Sequence, residues 1–135
     1  MDLMTRLQQE LPAFPQHLGI ELTAATPERV VAEAVVRPDL SIVTGTLHGG
    51  AIMAIADTLG AVATMANLRK GQWTTTLESK TNFLAPAPTG TKIFCECLPL
   101  HRGKRTMVWQ TNIRNAQGKL VAQVTQTQMV LAAQA

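Results

Sequence analysis

The sequence has few aromatic and few charged residues, and each shortage excludes a class of protein. Of its 135 residues none is Tyr, three are Phe and two are Trp, so surfaces on which bases or sugars could stack are scarce. Charged residues make up 16% of the chain and the formal net charge is +3. This mild positive charge is compatible with a phosphorylated ligand but does not require nucleic acid, and we expect no nucleic-acid partner.

Cysteine is scarce as well. Cys95 and Cys97 are the only two, and residues two apart in a strand point the same way without closing a disulfide easily. With His101 they would supply three metal ligands on alternating positions, but no second pair follows, so we interpret both thiols as core side chains and expect no metal or cofactor. Because no signal-peptide pattern follows Met1, the reduced thiols predict a cytoplasmic location.

What the chain does contain is apolar sequence with a regular period. Hydrophobic residues make up 46% of it, and its length suits one domain with one core, residues 1–135. An N-terminal helix is predicted over 1–16, capped by Asp2 and ended by Pro12 and Pro15. Alternating patterns predict strands over 17–26, 29–37, 73–84, 91–101, 105–114 and 119–131.

A long helix is predicted between the second and third strands, over residues 48–68. From Ala51 to Ala66 it is small or apolar on nearly every position, with Asp57 as its one charge. A helix that is apolar on all sides is expected to be buried. It is short for a membrane span and is interrupted by Asp57 and Gly60, so we expect no membrane association through it.

The order of these elements predicts the fold. One helix this apolar must be covered, and a strongly curved antiparallel sheet wrapped around it does so with two layers. The sequence therefore predicts an α+β protein with the hotdog fold, in which the sheet encloses one long central helix. The edges of such a sheet are available to pair between subunits.

The central helix also carries the candidate functional residues. His48, Gly49 and Gly50 open it, at a place where backbone N–H groups have no partners of their own. Asp57 follows nine residues after His48, and an isolated buried carboxylate is costly unless it is paired or used in chemistry. A structural hydrogen bond for Asp57, an N-cap role for His48 and simple turn roles for the glycines are the alternatives.

Five short segments match the pattern of a known family. They are Gly-Thr-Leu-His-Gly-Gly at 45–50, Ala-Asp-Thr at 56–58, Asn-Phe-Leu-Ala-Pro at 82–86, Gly-Lys at 103–104 and Gly-Lys-Leu-Val-Ala at 118–122. With these segments the chain resembles the hotdog acyl-CoA thioesterases from about residue 18 to residue 130. The most similar type is the thioesterase of the phenylacetic-acid pathway (PaaI), with its relatives that act on hydroxybenzoyl-CoA.

The resemblance implies roles for individual residues. It implies that the Gly49 N–H polarises the thioester carbonyl, that Asp57 is the nucleophile or the general base for water, and that His48 helps to fix the carbonyl oxygen. Thr76 falls where some relatives carry a hydroxyl that assists the water. The remaining residues expected to contact the acyl-CoA substrate are Gly50, Thr58, Arg102, Gly103, Lys104 and Arg105, the last four near the CoA phosphates.

The chemistry agrees with these roles, but the chain departs from the family at one position. Negative charge develops on the carbonyl oxygen during thioester hydrolysis, and a helix N-terminus supplies N–H donors for it. Relatives often carry Asn or Gln six residues before the His, where this chain has Ile42. We expect slower hydrolysis or substitution by a neighbouring group, with Ser41 and Thr44 as candidates.

The spacing along the helix predicts a site shared between two chains. Nine residues advance a helix by about half a revolution and roughly 13 Å. On that count Asp57 and Gly49 face nearly opposite ways and cannot serve one carbonyl. Two antiparallel central helices would bring Gly49 of one chain to Asp57 of the other, so we expect at least a homodimer, with a homotetramer as the expected assembly.

Two other functions are compatible with the sequence. A dehydratase or hydratase of acyl thioesters would use the same fold, although the His and acid arrangement of those enzymes is not found here. A non-catalytic protein that binds or senses acyl-CoA is the other alternative, and Ile42 favours it. The acyl group itself, aromatic or medium-chain, is left open by the sequence.

Overall fold

The computed structural model describes residues 1–132 and shows the predicted mixture of helices and strands. Two short helices, α1 (Leu3–Gln9) and α2 (Ala13–His17), precede the strands β1 (Glu21–Thr26) and β2 (Arg29–Val35). A 3₁₀ turn (Pro38–Leu40) leads to the long helix α3 (Gly49–Met65). The remaining strands are β3 (Trp73–Phe83), β4 (Lys92–Arg102), β5 (Thr106–Arg114) and β6 (Leu120–Leu131).

Within residues 1–132, six strands form one antiparallel sheet in the order β1-β2-β4-β5-β6-β3. One face of this sheet packs on α3, and the alternation of the sequence selects that face. On β2, for example, the buried residues are Val30, Ala32 and Ala34, and the residues between them are more exposed. The hotdog fold predicted from the sequence is thus confirmed, with β1 and β3 as the two edge strands.

The N-terminal segment differs from the prediction, because it forms two helices and not one over 1–16. Asp2 caps α1 by accepting a hydrogen bond from Thr5 N at 2.7 Å, as expected. Pro12 ends this helix region and is also the N-cap of α2, with Pro15 inside the first turn of α2. Proline is tolerated there because the N–H groups of a first helical turn have no intrahelical partners. The strand predicted from residue 17 begins only at Glu21.

Helix α3 ends at Met65, three residues before the predicted end at residue 68. The side chain of Asn67 explains the early stop, since its Nδ2 donates to Ala63 O and to Pro27 O, both at 2.9 Å. It thereby takes a carbonyl that the next helical N–H would have used and ties the helix end to the β1–β2 turn.

Burial on every side of α3 was predicted, and within one chain this is wrong. The side that faces the sheet is buried, through Ile52, Ile55, Ala56, Leu59, Gly60, Val62, Ala63 and Thr64. The other side is accessible, with Met53 40% and Met65 38% exposed. Asp57 lies on this accessible side and is half-buried. None of the helices that the structure describes is long and apolar enough to cross a membrane.

Candidate functional site

Asp57 is held by a residue of the neighbouring edge strand. The hydroxyl of Thr76, on β3, donates to Asp57 Oδ1 at 2.5 Å. A hydrogen bond of this kind fixes the orientation of the carboxylate. The structure thus brings together two of the residues that the sequence singled out, although nothing in the spacing of 19 residues between them predicted the contact.

An irregularity in β3 directs Thr76 toward the helix. The register between β3 and β6 shifts between Thr76 and Glu78, where Thr76 lies opposite Gln128 and Glu78 opposite Thr127. A β-bulge at this point reverses the alternation, so that Thr76 and Ser79 are the more buried residues and Glu78 is exposed. Without the bulge, Glu78 would face the helix in place of Ser79.

Two cavities meet at Asp57. One, of about 290 Å³, lies between α3 and the two N-terminal helices and is almost wholly apolar. Its lining residues include Leu11, Phe14, Ala54, Thr58 and Ala61. The hydroxyl of Thr58, a predicted substrate contact, donates to Ala54 O at 2.8 Å and is therefore engaged within the helix. The cavity can hold an apolar group directly beside the carboxylate.

The second cavity at Asp57, of about 340 Å³, is more open and lies toward β3. It is lined by Met53, Ala54, Asp57, Thr76 and Ser79. The Ser79 hydroxyl is buried and has no hydrogen-bond partner within residues 1–132, so it is free to bind a ligand or water here. Sequence reasoning missed Ser79, because only the bulge turns it inward.

The N-terminus of α3 is arranged around His48, which is the N-cap. Its Nδ1 accepts a hydrogen bond from Gly50 N at 2.8 Å. When this imidazole is neutral its proton is therefore on Nε2. The N-cap role, one of the two alternatives for His48, is thus the one seen in this structure. The Gly50 N–H is thereby engaged within the chain, and contact of Gly50 with substrate stays a prediction.

Gly49 is the first helical residue, and its N–H finds no acceptor within residues 1–132. A side chain at this position would be crowded, since a Cβ would lie 3.2 Å from Cε1 of the Phe83 ring. Packing against Phe83 therefore favours glycine at position 49, in addition to the predicted role of its N–H. The free N–H at the positive end of the helix dipole is a ready donor to a negatively charged oxygen.

The separation of Gly49 and Asp57 corrects one step of the sequence argument. Nine residues is the distance from His48, whereas Gly49 precedes Asp57 by eight on α3. Eight residues correspond to about 80° of rotation and about 12 Å along the axis. The prediction that the two groups face nearly opposite ways is therefore wrong. The axial distance is still sufficient to keep the Gly49 N–H and the Asp57 carboxylate of one chain from acting on the same carbonyl.

A third cavity, of about 440 Å³, lies at the other end of α3 and is polar. Arg102, Gly103 and Lys104 line it as predicted for a phosphate-binding region, and Arg69 joins them. Arg69 was not among the substrate-binding residues predicted from the sequence. Arg105, which the sequence analysis groups with Arg102 and Lys104, is not among the residues that line this cavity.

Arg102 is partly neutralised within the chain. Its Nη1 donates to Asn67 Oδ1 at 3.2 Å and to Glu28 Oε1 at 3.5 Å. Arg102 thus already has an ion-pair partner in Glu28, whereas Arg69 and Lys104 have none within residues 1–132.

The region around Ile42 lies apart from Asp57. Ile42 is 43% exposed, and the cavities at Asp57 are not lined by Ser41, Ile42 or Thr44 of the described chain. The Ser41 hydroxyl donates to Arg37 O at 2.7 Å and accepts from Thr89 at 3.0 Å. A role of Ser41 or Thr44 in place of the missing Asn or Gln thus stays a prediction.

Cys95 and Cys97 are buried core side chains, as interpreted from the sequence. Burial raises the pKa of each thiol to about 12, because a thiolate would be poorly solvated there. Both thus stay protonated at neutral pH and are poor nucleophiles and metal ligands. Within residues 1–132, no three His, Cys, Asp or Glu side chains are grouped where they could hold a metal ion.

Comparison with known proteins shows which sequences are similar to this chain. Residues 44–122 match the sequence model of the thioesterase superfamily, a stretch that includes α3 and the strands β3, β4 and β5. The chain is 33% identical over 103 residues to the proofreading thioesterase EntH of Klebsiella pneumoniae, covering 76% of this chain and 74% of that protein.

Solved structures agree with the sequence match. A thioesterase of Haemophilus influenzae is similar with a TM-score of 0.88 and 30% identity, over 98% of this chain and 92% of that one. A thioesterase protein of Streptococcus pneumoniae, crystallised with coenzyme A, is similar with a TM-score of 0.82 over 98% of this chain and 99% of that one. At 20% identity, this second likeness concerns the fold alone.

Proposed function

Because the chain belongs to the thioesterase superfamily, we propose that it hydrolyses an acyl-CoA thioester, with Asp57 as the nucleophile or general base. The observation that carries this proposal is the position of Asp57. Its carboxylate lies between the apolar cavity and the more open cavity lined by Thr76 and Ser79, and its Oδ1 accepts a hydrogen bond from Thr76. An acyl group in the first cavity would have its thioester carbon beside the carboxylate.

Two routes through Asp57 give the same products. As a general base, Asp57 takes a proton from water while the water oxygen bonds to the carbonyl carbon, and the C–S bond then breaks to release the CoA thiolate. As a nucleophile, a carboxylate oxygen bonds to the carbonyl carbon and expels the thiolate, and water then hydrolyses the mixed anhydride. Either way the carbonyl oxygen passes through a negatively charged state that needs donors.

The proposed substrate class is an acyl-CoA with an apolar aromatic or medium-chain acyl group. The cavity of about 290 Å³ supports this, since its walls are aliphatic and aromatic apart from Glu10, Asp57 and Thr58. Such a lining would leave a charged acyl group without partners. The polar cavity with Arg69, Arg102 and Lys104 is the proposed site for the CoA phosphates.

The donor to the carbonyl oxygen is proposed to be the Gly49 N–H of a partner chain in a homodimer. Its support is the axial distance of about 12 Å between Gly49 and Asp57 of one chain. The accessible side of α3, with Met53 and Met65, leaves room for a partner. The edge strand β3 offers eleven residues for antiparallel pairing. A homotetramer would be built from two such dimers.

The experiment is subunit complementation with two inactive variants. Asp57→Asn removes the base, and Gly49→Pro removes the N–H at the first helical position, where proline is tolerated. His48 has φ −63° and ψ 137°, which a residue before proline adopts readily. CoA release from a panel of acyl-CoA substrates would be measured for each homodimer and for the purified heterodimer.

We expect both homodimers to lose activity, by about 100-fold or more for each variant. In the heterodimer one of the two shared sites is intact, so activity should return to roughly half that of the unmodified dimer, since one of two independent sites remains. No recovery would refute the shared site. Full activity of the Asp57→Asn homodimer would refute the role of Asp57.

A second candidate function is acyl-CoA binding without hydrolysis, and the observation that favours it is Ile42 in place of the usual amide side chain. The same panel separates the two. Tight binding of acyl-CoA by the unmodified protein without any release of CoA would support the binding protein, whereas turnover that depends on Asp57 supports the enzyme.

A further inference from the structure

Two glutamines of β6 are buried where the fold would accept apolar residues. Gln126 is 1% exposed and Gln128 is fully buried, and both lie on the face of the sheet that packs on α3. Burying an amide side chain costs free energy unless its polar atoms are hydrogen-bonded. The arrangement of their hydrogen bonds indicates what these two side chains do.

The glutamines link two consecutive residues of α3. Gln126 Nε2 donates to Ala56 O at 2.7 Å. Gln128 Nε2 donates to Gln126 Oε1 and to Thr76 Oγ1, both at 2.6 Å. Thr76 in turn donates to Asp57 Oδ1 at 2.5 Å. The chain of hydrogen bonds therefore starts at the carbonyl of Ala56 and ends at the carboxylate of Asp57.

The Ala56 carbonyl, at which this series of hydrogen bonds starts, determines which group donates and which accepts in each of them. A backbone carbonyl only accepts, so Gln126 must present Nε2 to Ala56 and Oε1 to Gln128. Gln128 must then donate, and its own Oε1 accepts from Thr74 at 2.9 Å. Because the Thr76 oxygen accepts from Gln128, its single proton is left for Asp57. The carboxylate thus receives a donor whose orientation is set three side chains away.

A glycine of α3 provides the space for this series of hydrogen bonds. Gly60 lies in the middle of α3, where glycine weakens a helix, and a Cβ there would lie 2.0 Å from Gln126 Nε2. Glycine at this position admits the Gln126 amide against the helix. The bulge after Thr76 keeps that residue directly opposite Gln128 while turning Glu78 away.

We propose that Gln126 and Gln128 are positioning residues for Asp57, which act by holding the Thr76 hydroxyl as a donor to Oδ1. The inference rests on the proposed function of Asp57. No protein donor contacts Oδ2 of Asp57 within the described residues, so the same arrangement leaves that oxygen available to water or to the thioester carbon. The glutamines do not touch substrate, and their effect reaches it only through Thr76.

A double-mutant cycle on Thr76→Val and Gln128→Met tests this. Methionine has a similar volume but cannot donate. We expect Gln128→Met to lower kcat about 10-fold with KM changed less than about 2-fold, because a misplaced group reduces the rate more than it reduces binding. If Gln128 acts through Thr76, the double variant should be no slower than Thr76→Val alone. Effects on kcat that multiply would overturn the proposal.

A matched glutamine on the same strand serves as control. Gln123 lies on β6 and donates to Asn112 Oδ1 at 3.0 Å, away from Asp57. Gln123→Met should leave kcat within about 2-fold of the unmodified enzyme, since it removes a hydrogen bond outside the chain that reaches Thr76. An equal loss of kcat in both glutamine variants would mean that β6 is merely destabilised and would overturn the proposal.

Gly60 provides a second test if Gln128→Met fails to fold. Gly60→Ala should displace Gln126 and lower both Tm and kcat. Adding Gln126→Ala relieves the clash, so Tm should recover while kcat stays low. Recovery of kcat together with Tm would refute the positioning role. If Asp57→Asn retains activity, the proposed function fails; if Asp57→Asn is inactive and Gln128→Met has normal kcat, only the positioning role fails.

Discussion

The Thr76 hydroxyl and the Asp57 carboxylate are joined by a hydrogen bond of 2.5 Å between β3 and α3. This contact ties the accessible side of the central helix to the edge strand of the sheet. It also places a hydroxyl and a carboxylate on the wall of one open cavity, with Ser79 beside them. The carboxylate is thereby oriented before any ligand arrives, which is the condition under which a base or nucleophile is effective.

The first prediction concerns this hydrogen bond. Thr76→Val keeps the shape of the side chain and removes its donor, and a hydrogen bond to a charged group contributes about 1.5–3 kcal/mol. We therefore expect kcat for acyl-CoA hydrolysis to fall by roughly 10-fold to 100-fold.

Thr76→Ser is the matched control, since it keeps the hydroxyl and loses only a methyl group. Its kcat should stay within about 3-fold of that of the unmodified enzyme, because the donor to Asp57 is retained. Equal rates for the Val and Ser variants, at equal Tm, would show that the hydrogen bond has no part in the reaction.

The periodicity of the sequence predicted most of the fold, because each strand buries alternate residues. The buried residues of β2 and β5 follow this rule without a break. It fails at the bulge in β3, where one extra residue reverses the alternation and turns Ser79 inward. Nor does periodicity distinguish a buried glutamine from a buried valine, so the role of Gln128 emerges only from its hydrogen bonds.

The second prediction separates the two reasons for glycine at position 49. Gly49→Ala keeps the N–H but places a Cβ 3.2 Å from the Phe83 ring, whereas Gly49→Pro removes the N–H as well. If the N–H stabilises the oxyanion, Pro should lower kcat about 100-fold or more, as loss of one such donor does.

For Gly49→Ala we expect a loss of less than about 5-fold, because a ring edge can shift by the few tenths of an ångström required. Steady-state kinetics with one acyl-CoA, together with Tm, would measure both variants. A loss as large for Ala as for Pro would assign glycine 49 to packing against Phe83 alone.

The residues that line the polar cavity at the end of α3 were only partly predicted, for a different reason. Lys104 and Arg105 are neighbours in the chain, yet only Lys104 lines the cavity. Arg69 lies 35 residues before Lys104 in the sequence and meets it because α3 ends beside the β4–β5 turn. Proximity of this kind depends on the packing of elements, which charge clusters in the sequence do not report.

The third prediction tests this cavity as the binding site for the CoA phosphates. Arg69→Ala and Lys104→Ala should each raise KM for acyl-CoA about 3-fold to 5-fold at low salt, since each removes one partly solvated charge contact. The kcat should be unchanged. The increase should shrink as salt is added, because exposed charges are screened.

Two controls accompany these variants. Arg105→Ala, outside the cavity, should leave KM unchanged. The matching acyl-pantetheine thioester, which lacks the nucleotide, should show no effect of Arg69→Ala or Lys104→Ala. Equal changes of KM for both substrates would place the CoA phosphates elsewhere.

The fourth prediction concerns stability at alkaline pH. Burial raises the pKa of the Cys95 and Cys97 thiols from 9.0 to about 12 in the folded chain. Above pH 9 the unfolded chain loses these protons while the folded chain keeps them, so the unfolded state binds fewer protons and stability falls as pH rises. Below pH 9 the contribution is fully present, and the loss extends up to about pH 12.

The expected size follows from about 1.36 kcal/mol per pKa unit. At pH 10.5, about 1.5 units above the unfolded value, each thiol should lower the free energy of unfolding by about 2 kcal/mol relative to pH 7. Urea unfolding at both pH values would be compared with the Cys95→Ala/Cys97→Ala variant, which shares all other titrating groups. The variant should lose about 4 kcal/mol less than the unmodified chain over this range. Equal losses would mean that the thiols ionise in the folded protein as readily as in the unfolded chain, and hence that solvent reaches them.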